Sequence, residues 1–191
     1  MLRLANKILW EAVLKRTLGL ISMVMGMSFL GVAFVYAETA AEYIQLGNDS
    51  LNQGDFQEAI FDYTKAIDIN PNFAKAYDNR GVVYAEQGFL TPAIADFTMA
   101  IANDSKDAEA YNNRGHAYAE QGNFDQAISD YTKAIRINAL YVKAYDNRAV
   151  VFLGLKEYDK AWADVHKVKK IGGVIDIDFI RALEKASARD Q

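Results

Sequence analysis

The sequence predicts an all-α solenoid in which helix-turn-helix units of 34 residues stack side by side. The first observation behind this prediction is a recurring string, because YDNRG at 77–81 returns as YNNRG at 111–115 and as YDNRA at 145–149. The second is a glycine that recurs with the same spacing where a helix is expected to end. These glycines are Gly54, Gly88 and Gly122. Stacks of this kind usually present surfaces rather than perform chemistry.

Four units follow when the glycines set the frame, and the second and third are identical at 17 of their 34 positions. The units are 40–73, 74–107, 108–141 and 142–175. Each is predicted to start with a helix of about 13 residues that ends at the glycine, where a left-handed residue is tolerated. A second helix follows, as in QEAIFDYTKAIDI at 57–69, whose apolar residues have helical spacing. Asn70-Pro71 is expected to stop it in the first unit.

Three kinds of residue recur at fixed places and predict how the helices pack. Small residues on the first helix would let it approach its partner closely. They are Gly47, Gly81, Gly115 and Ala149, and their counterparts on the second helix are Ala59, Ala93, Ala127 and Ala161. Aromatic residues recur on the faces expected to be buried, and core packing is the favoured interpretation. They are Tyr43, Tyr77, Tyr111 and Tyr145 on first helices, and Tyr63, Phe97 and Tyr131 on second helices.

These columns resemble the tetratricopeptide repeat, whose 34-residue unit favours aromatic residues and small residues at such fixed places. The second unit matches at Tyr77, Gly81, Tyr84, Ala93, Phe97 and Ala100, and the third at Tyr111, Gly115, Tyr118, Ala127, Tyr131 and Ala134. The fourth unit is degenerate, with Val165 and Val168 in place of an aromatic residue and alanine, and only the first unit has the family's proline, Pro71. The resemblance covers 40–175 and implies a right-handed superhelix of four units.

A capping helix and tail are predicted over 176–191, after Gly172-Gly173 breaks the chain. Asp178 is expected to cap this helix, which would run to about Ala188. Its apolar side chains are expected to cover the end of the stack, and its charged side chains to face water. The apolar residues are Phe179, Ile180 and Leu183, and the charged ones are Arg181, Glu184, Lys185 and Arg189.

The first 37 residues differ from the repeats. Residues 1–16 carry four basic side chains against a single Glu11, and residues 17–37 carry no charge. A basic start, an apolar core and a small residue at Ala37 are typical of a secretory signal peptide that is cleaved after Ala37. The same run, roughly 30 Å long as a helix, would also span a bilayer, so an uncleaved signal anchor is the alternative. Both interpretations predict export to the periplasm or another extracytoplasmic space, with membrane contact only if 17–37 persists.

Composition excludes several function classes. The chain has no cysteine, which excludes disulfides and Cys-based zinc sites. Four of the 21 Lys and Arg residues and one of the 25 Asp and Glu residues lie in 1–37, so the rest has 17 and 24, a net charge of −7. Nucleic acid is therefore not expected as a partner. The only two histidines, His116 and His166, lie outside any metal or catalytic motif, and no enzymatic activity, metal or cofactor is predicted.

The resemblance also implies where a partner would bind. In this family the first helices line an inner groove that usually holds a peptide. By position in the repeat, the lining falls in the first unit on Ile44, Gln45, Asn48 and Asn52, in the second on Lys75, Asp78, Asn79, Val82 and Glu86, in the third on Glu109, Asn112, Asn113, His116 and Glu120, and in the fourth on Lys143, Asp146, Asn147 and Val150.

Asn79, Asn113 and Asn147 occupy one place on successive first helices. Because a side-chain amide both donates and accepts, this ladder could hold the backbone of an extended peptide. The alternative is that the amides bond neighbouring helices or face solvent.

Some members of the family bind the C-terminal carboxylates of a partner with a clamp of cations and asparagines, and this chain lacks the cations of that clamp. The matching positions are Ile44, Asn48, Asn79, Glu109 and Asn113. The acidic lining instead favours an extended neutral or basic segment of a protein or peptide.

A second ladder consists of arginines on first helices and aspartates on second helices. Its members are Arg80, Arg114 and Arg148 with Asp62, Asp96, Asp130 and Asp164. Structural ion pairs that lock helix to helix are predicted. The spacing leaves open whether each pair forms within a unit or between units.

The sequence therefore predicts an exported, non-catalytic adaptor that binds a protein or peptide segment in its inner groove. The alternative function is a scaffold that self-associates within an envelope assembly.

Overall fold

The computed structural model of the chain describes residues 39–188, which form nine α-helices and no strand. The helices are α1 Ala40–Asn52, α2 Phe56–Ile69, α3 Ala74–Glu86, α4 Leu90–Asn103, α5 Ala108–Glu120, α6 Phe124–Ile137, α7 Val142–Gly154, α8 Tyr158–Lys170 and α9 Ile177–Ser187. Odd-numbered helices up to α7 are the first helices of the four units, and even-numbered helices are the second. The predicted all-α repeat superhelix is confirmed.

The predicted signal peptide or anchor, 1–37, lies outside the described residues. Between residues 39 and 188, none of the helices combines the length and apolar character needed to cross a membrane.

The stack bends toward its first helices. Each helix packs against the next in sequence, and successive first helices also touch, α1 with α3, α3 with α5 and α5 with α7. No Cα atoms of two second helices come within 8 Å of each other in residues 39–188. Since the first helices lie closer together than the second helices, they form the inner side of the curve. We call the exposed side of α1, α3, α5 and α7 the inner face.

The turn inside each unit depends on one residue in the left-handed region. Gly54, Gly88 and Gly122 each have φ near +78°, as their spacing predicts. In the fourth unit the equivalent residue is Lys156, which has φ 61° although it carries a Cβ. The fourth unit therefore makes the same turn with a residue that is strained in it.

The turn between units depends on an Asx side chain rather than on proline. The Asn70 Oδ1 accepts from the backbone N–H of the residue two positions later, at 3.1 Å. Asp104 and Asn138, at the equivalent positions, make the same bond at 2.9 and 3.0 Å. This side-chain bond reverses the chain by itself, which explains why the second and third units do without the proline of the first.

The core of each of the first three units contains a glycine against an aromatic ring. A Cβ built on Gly81 would lie 2.7 Å from the Phe97 ring, and one on Gly115 would lie 2.9 Å from the Tyr131 ring. Both rings are almost fully buried. In the fourth unit the same two positions hold Ala149 and Val165, also buried. In the fourth unit the first helix therefore has alanine in place of the smaller glycine, and the second helix has valine in place of the larger aromatic residue.

The capping helix covers the end of the stack with Leu183, which is fully buried beside Phe152 and Val165, and with the half-buried Phe179. The expected cap residue was wrong by two positions, because α9 begins at Ile177. The Asp176 carboxylate accepts from the backbone N–H of residue 178 at 2.8 Å. Asp176 stands directly before the first apolar residue of the helix, where a capping side chain can reach the free N–H groups.

The opposite end of the stack is polar. Ala76, Ala110 and Ala144 are completely buried, and each occupies the same place in its unit. The residue at that place in α1 is Glu42, which is exposed and completes a capping box with Thr39. At this place α1 therefore differs from the other first helices, because it has an exposed charged side chain where they have a buried alanine.

Candidate functional site

The predicted lining lies on the inner face, but its residues differ in how far solvent reaches them. The exposed ones are Gln45, Asn52, Lys75, Glu86, Glu109, His116, Glu120, Lys143 and Val150. The half-buried ones are Ile44, Asn48, Asn79, Val82, Asn113, Asp146 and Asn147. Asp78 and Asn112 are only 1% exposed, so in this arrangement a ligand cannot contact them directly. Acidic side chains outnumber basic ones on the exposed part of the lining.

Each member of the asparagine ladder donates to a side chain of the preceding unit. The Asn79 Nδ2 donates to the Asn48 Oδ1 at 2.9 Å, and the Asn147 Nδ2 to the Asn112 Oδ1 at 3.0 Å. The Asn113 Nδ2 donates to the Asp78 Oδ1 at 3.1 Å. One N–H of each amide is therefore used between first helices. Each amide has a second N–H and further acceptor capacity, although the Asn79 amide also makes a side-chain hydrogen bond with Tyr63.

A charged cluster joins the second and third units. The Lys75 Nζ lies 3.1 Å from the Asp78 carboxylate and 3.5 Å from the Glu109 carboxylate. Burial raises the pKa of Asp78, although Lys75 and the Asn113 amide oppose this. Burial lowers the pKa of Lys75, but Asp78 and Glu109 outweigh it and the net shift is upward. Both shifts favour the protonated forms, and Lys75 stays a cation held by two carboxylates.

Sequence reasoning missed Tyr141, which lies at the edge of this cluster. Burial raises the pKa of Tyr141 to about 12, with further contributions from Glu109 and Asp78. Together with Glu109, Asp107 and Asn138 it lines a surface cleft of about 480 Å³. Tyr141 is the last residue of its unit, where the other units hold Phe73, an aspartate and an isoleucine, so no repeat pattern distinguished it.

The fourth unit contains an acid without a hydrogen bond. The Asp146 Oδ1 is buried and has no hydrogen-bond partner within the described part of the chain. Burial raises the pKa of Asp146, and the neighbouring Asp164 carboxylate adds to the shift.

The arginine and aspartate ladder pairs within units, which settles the question that the spacing left open. In each pair the guanidinium makes two bonds of 2.7–2.9 Å to one buried carboxylate, Arg80 with Asp96, Arg114 with Asp130 and Arg148 with Asp164. We call these three pairs the arginine locks.

Each arginine lock also reaches the preceding unit through a threonine that sequence reasoning missed. The Nη1 atoms of Arg80, Arg114 and Arg148 donate to the hydroxyl groups of Thr64, Thr98 and Thr132 at 2.8–3.1 Å. One arginine thus ties its own second helix and the second helix before it. The three threonines recur every 34 residues, and this spacing was the available signal.

No three His, Asp or Glu side chains between residues 39 and 188 are grouped so that they could hold a metal ion.

Two family models match parts of the chain. A model described as "Tetratricopeptide repeat" matches residues 108–139, and one described as "TPR repeat" matches residues 47–88. The matches fall on the first three units, where the repeat columns are the most regular.

Several solved structures are similar to this chain. A crystal structure of MamA protein is 28% identical and has a TM-score of 0.68, over 79% of this chain and 84% of that chain. The first TPR of Spaghetti (RPAP3), bound to the HSP90 peptide SRMEEVD, is 25% identical with a TM-score of 0.61, over 65% and 99% of the two chains. PilF from Pseudomonas aeruginosa is 24% identical with a TM-score of 0.70, over 79% and 68%, and supports the fold alone.

Proposed function

Because this chain is a tetratricopeptide repeat protein, we propose that it is an exported, non-catalytic adaptor whose inner face holds an extended segment of another polypeptide. Proteins with this fold generally act as scaffolds for protein–protein interaction. The observation that carries the proposal is the bend of the stack toward its first helices, which gathers their exposed side chains on one concave surface. A concave surface of this kind can contact an extended ligand along several units.

The charge of the inner face supports a neutral or basic segment as the ligand. Glu86, Glu109 and Glu120 are exposed, while the cation of Lys75 is already held by two carboxylates. One similar structure binds the acidic HSP90 peptide SRMEEVD. An acidic ligand of that kind is not expected for this chain, because an acidic tail would meet like charge on this face.

Export is supported by the sequence of residues 1–37, with a basic start followed by 21 uncharged residues. The adaptor would act outside the cytoplasm, either released after Ala37 or anchored by residues 17–37. The intact mass of the mature protein distinguishes these two forms, and an unprocessed cytoplasmic chain would contradict export.

Site-specific photo-crosslinking in cells tests the use of the inner face. A photoreactive residue is placed at His116, which is exposed on α5, and in a matched variant at Ser129, which is exposed on the second helix of the same unit. We expect the position on α5 to capture a defined polypeptide and the position on α6 to capture none. Equal capture from both positions would mean that the inner face is not the binding surface.

End-to-end self-association, as a scaffold, is not favoured by the two ends of the stack. Glu42 and Asp49 are exposed on α1, and the charged Asp178, Arg181 and Lys185 outnumber the exposed apolar Ile177 on α9. Sedimentation at several concentrations should therefore give a monomer for the chain without its ligand. Concentration-dependent growth would support the scaffold instead.

A further inference from the structure

We propose that the fourth unit contains a subsite for a basic side chain of the bound segment, formed by the Asp146 carboxylate beside the exposed Val150. This inference rests on the proposed function. It places at the fourth unit the contact that would distinguish a bound segment with a basic side chain from one without.

The first step is a comparison of Asp78, Asn112 and Asp146, which occupy the same place in the second, third and fourth units. The side-chain oxygens of Asp78 and Asn112 each accept a hydrogen bond from an asparagine of the following unit. The residue that continues this asparagine ladder after Asn147 is Arg181, 34 positions later. The Arg181 guanidinium instead contacts Asp178 in its own helix, at 3.1 Å.

Asp146 is therefore the one member of this series whose acceptor is left unused within the described residues. Its lysine neighbour does not compensate, because Lys143 forms no ion pair in residues 39–188, whereas the equivalent Lys75 contacts Asp78 at 3.1 Å. Asp146 as a whole is half-buried, unlike Asp78 and Asn112, so a ligand can approach its side chain. The Oδ1 itself is covered in this arrangement, so a donor reaches it only when the carboxylate turns, and that bond offsets the penalty of a buried oxygen without a donor. An ammonium or guanidinium group is the donor that also matches the charge.

The surface next to Asp146 is apolar and open. Val150 lies one helical turn after Asp146, and 55% of its surface is exposed. Gly154 lies one turn further, and no atom stands within 4 Å of the position that its Cβ would take. The residues of the second and third units at the position of Gly154 are Glu86 and Glu120. The fourth unit thus offers one acid and an apolar patch, which fits a basic side chain that neighbours an apolar one.

Parallel peptide-display selections test this subsite. The probe is a random library of twelve-residue peptides, selected on the full chain, on Asp146→Asn and on Asp159→Asn. Asp159 is exposed on the second helix of the same unit and controls for the loss of one charge. Asn112 shows that asparagine is accommodated at this place, so Asp146→Asn should fold, and its thermal melt is recorded beside that of the wild type.

We expect the wild type and Asp159→Asn to enrich Lys or Arg next to an apolar residue. Asp146→Asn should lose the basic preference and bind the selected peptide about tenfold more weakly. A second variant, Gly154→Glu, restores the acid of the other units and should replace the enriched apolar residue by a basic one.

Two other outcomes are distinguishable. If Asp146→Asn enriches the same basic peptides with unchanged affinity, or if the wild type enriches acidic peptides, the subsite is wrong and the adaptor function stands. If the wild type enriches no peptide of any charge, both the subsite and the proposed function are overturned.

Discussion

The second and third units and the fourth unit make the same fold in different ways. In the earlier units a glycine accommodates a buried ring, as Gly115 does for Tyr131, and another glycine makes the turn. In the fourth unit Ala149 stands opposite the smaller Val165, and Lys156 makes the turn. The arginine lock is nevertheless identical in all three. Two core residues can therefore change together so that their volumes compensate, and the turn residue can change alone, while the polar contact between the helices stays the same.

The arginine locks should give the largest effect, and the same one in both regions. Arg114→Ala removes two bonds to the buried Asp130 and one to Thr98. Leaving that carboxylate buried without its partner should lower the free energy of unfolding by about 3 kcal/mol. Arg148→Ala in the fourth unit should lower it equally. Denaturant unfolding measures both.

A double-mutant cycle then separates direct contact from indirect effects. Arg114→Ala and Asp130→Ala together should cost clearly less than the sum of the single substitutions, by about 1–3 kcal/mol. Strict additivity would contradict the geometry of the lock. A marked difference between Arg114→Ala and Arg148→Ala would show that the lock is not shared by the two regions.

The glycine and the ring should behave as a pair. Gly115→Ala alone places a Cβ 2.9 Å from the Tyr131 ring and 3.3 Å from the Ala127 carbonyl oxygen. We expect a net destabilisation of about 1–2 kcal/mol, because overpacking exceeds the gain in helix propensity. In a Tyr131→Val background, which copies the fourth unit, the same substitution should instead stabilise the protein by about 1 kcal/mol.

The control for this pair is Ala149→Gly in the fourth unit, which should destabilise the protein by about 1 kcal/mol because no ring needs the space. Thermal and denaturant unfolding of the four variants give the result. If Gly115→Ala has the same sign in the wild-type background and in the Tyr131→Val background, the proposed compensation is refuted.

The sequence was sufficient for the repeat, the helices and the buried aromatic residues of the second helices, because each depends on residue type at a fixed spacing. Among the aromatic residues predicted to be buried on first helices, Tyr77 and Tyr145 are buried, whereas Tyr43 and Tyr111 are half-buried. Gly54, Gly88 and Gly122 have the left-handed backbone that their positions predict, and Tyr63, Phe97 and Tyr131 are buried. The predicted cap of α9 was wrong by two positions. Asp176 and Asp178 are the same residue type two positions apart, so the sequence alone does not tell which of them directly precedes the first residue of the helix.

The inner face was only partly predictable, because hydrogen-bond partners depend on the distance between helices of different units. Family position placed Asp78 in the groove, but the following unit buries it. Spacing could not tell whether Arg114 pairs with an aspartate of its own unit or of another. It pairs with Asp130 of its own unit and also donates a hydrogen bond to Thr98 of the preceding unit. That the residues of the inner face bind a partner remains a prediction.

The turn residue gives a smaller effect of opposite sign in the two regions. Lys156 has φ 61°, where a Cβ is unfavourable, so Lys156→Gly should raise the free energy of unfolding by about 1 kcal/mol. Gly122→Lys at the equivalent position should lower it by about the same amount. Denaturant midpoints measure both changes. If Lys156→Gly also destabilises the protein, then the lysine side chain contributes more than its backbone strain removes.

The smallest effect concerns Asp78, and it depends on pH. Its pKa in the folded state lies above the ordinary carboxyl value of 3.8 because of burial. The folded protein therefore binds more protons than the unfolded chain just above pH 3.8, so the contribution of Asp78 to stability falls as the pH rises through that window. Asp78→Asn should remove this fall.

At neutral pH, Asp78→Asn should change the free energy of unfolding by less than about 1 kcal/mol. An amide oxygen can still accept from Asn113, as the Asn112 amide does from Asn147 in the next unit. Unfolding curves from about pH 4 to pH 7, with the exposed Asp68→Asn as the charge control, measure the difference. A steeper loss of stability with rising pH in Asp78→Asn than in the wild type would mean that Lys75 dominates and that the aspartate is stabilised as an anion. The second unit would then differ from the third, where the neutral Asn112 holds the same place without a charge.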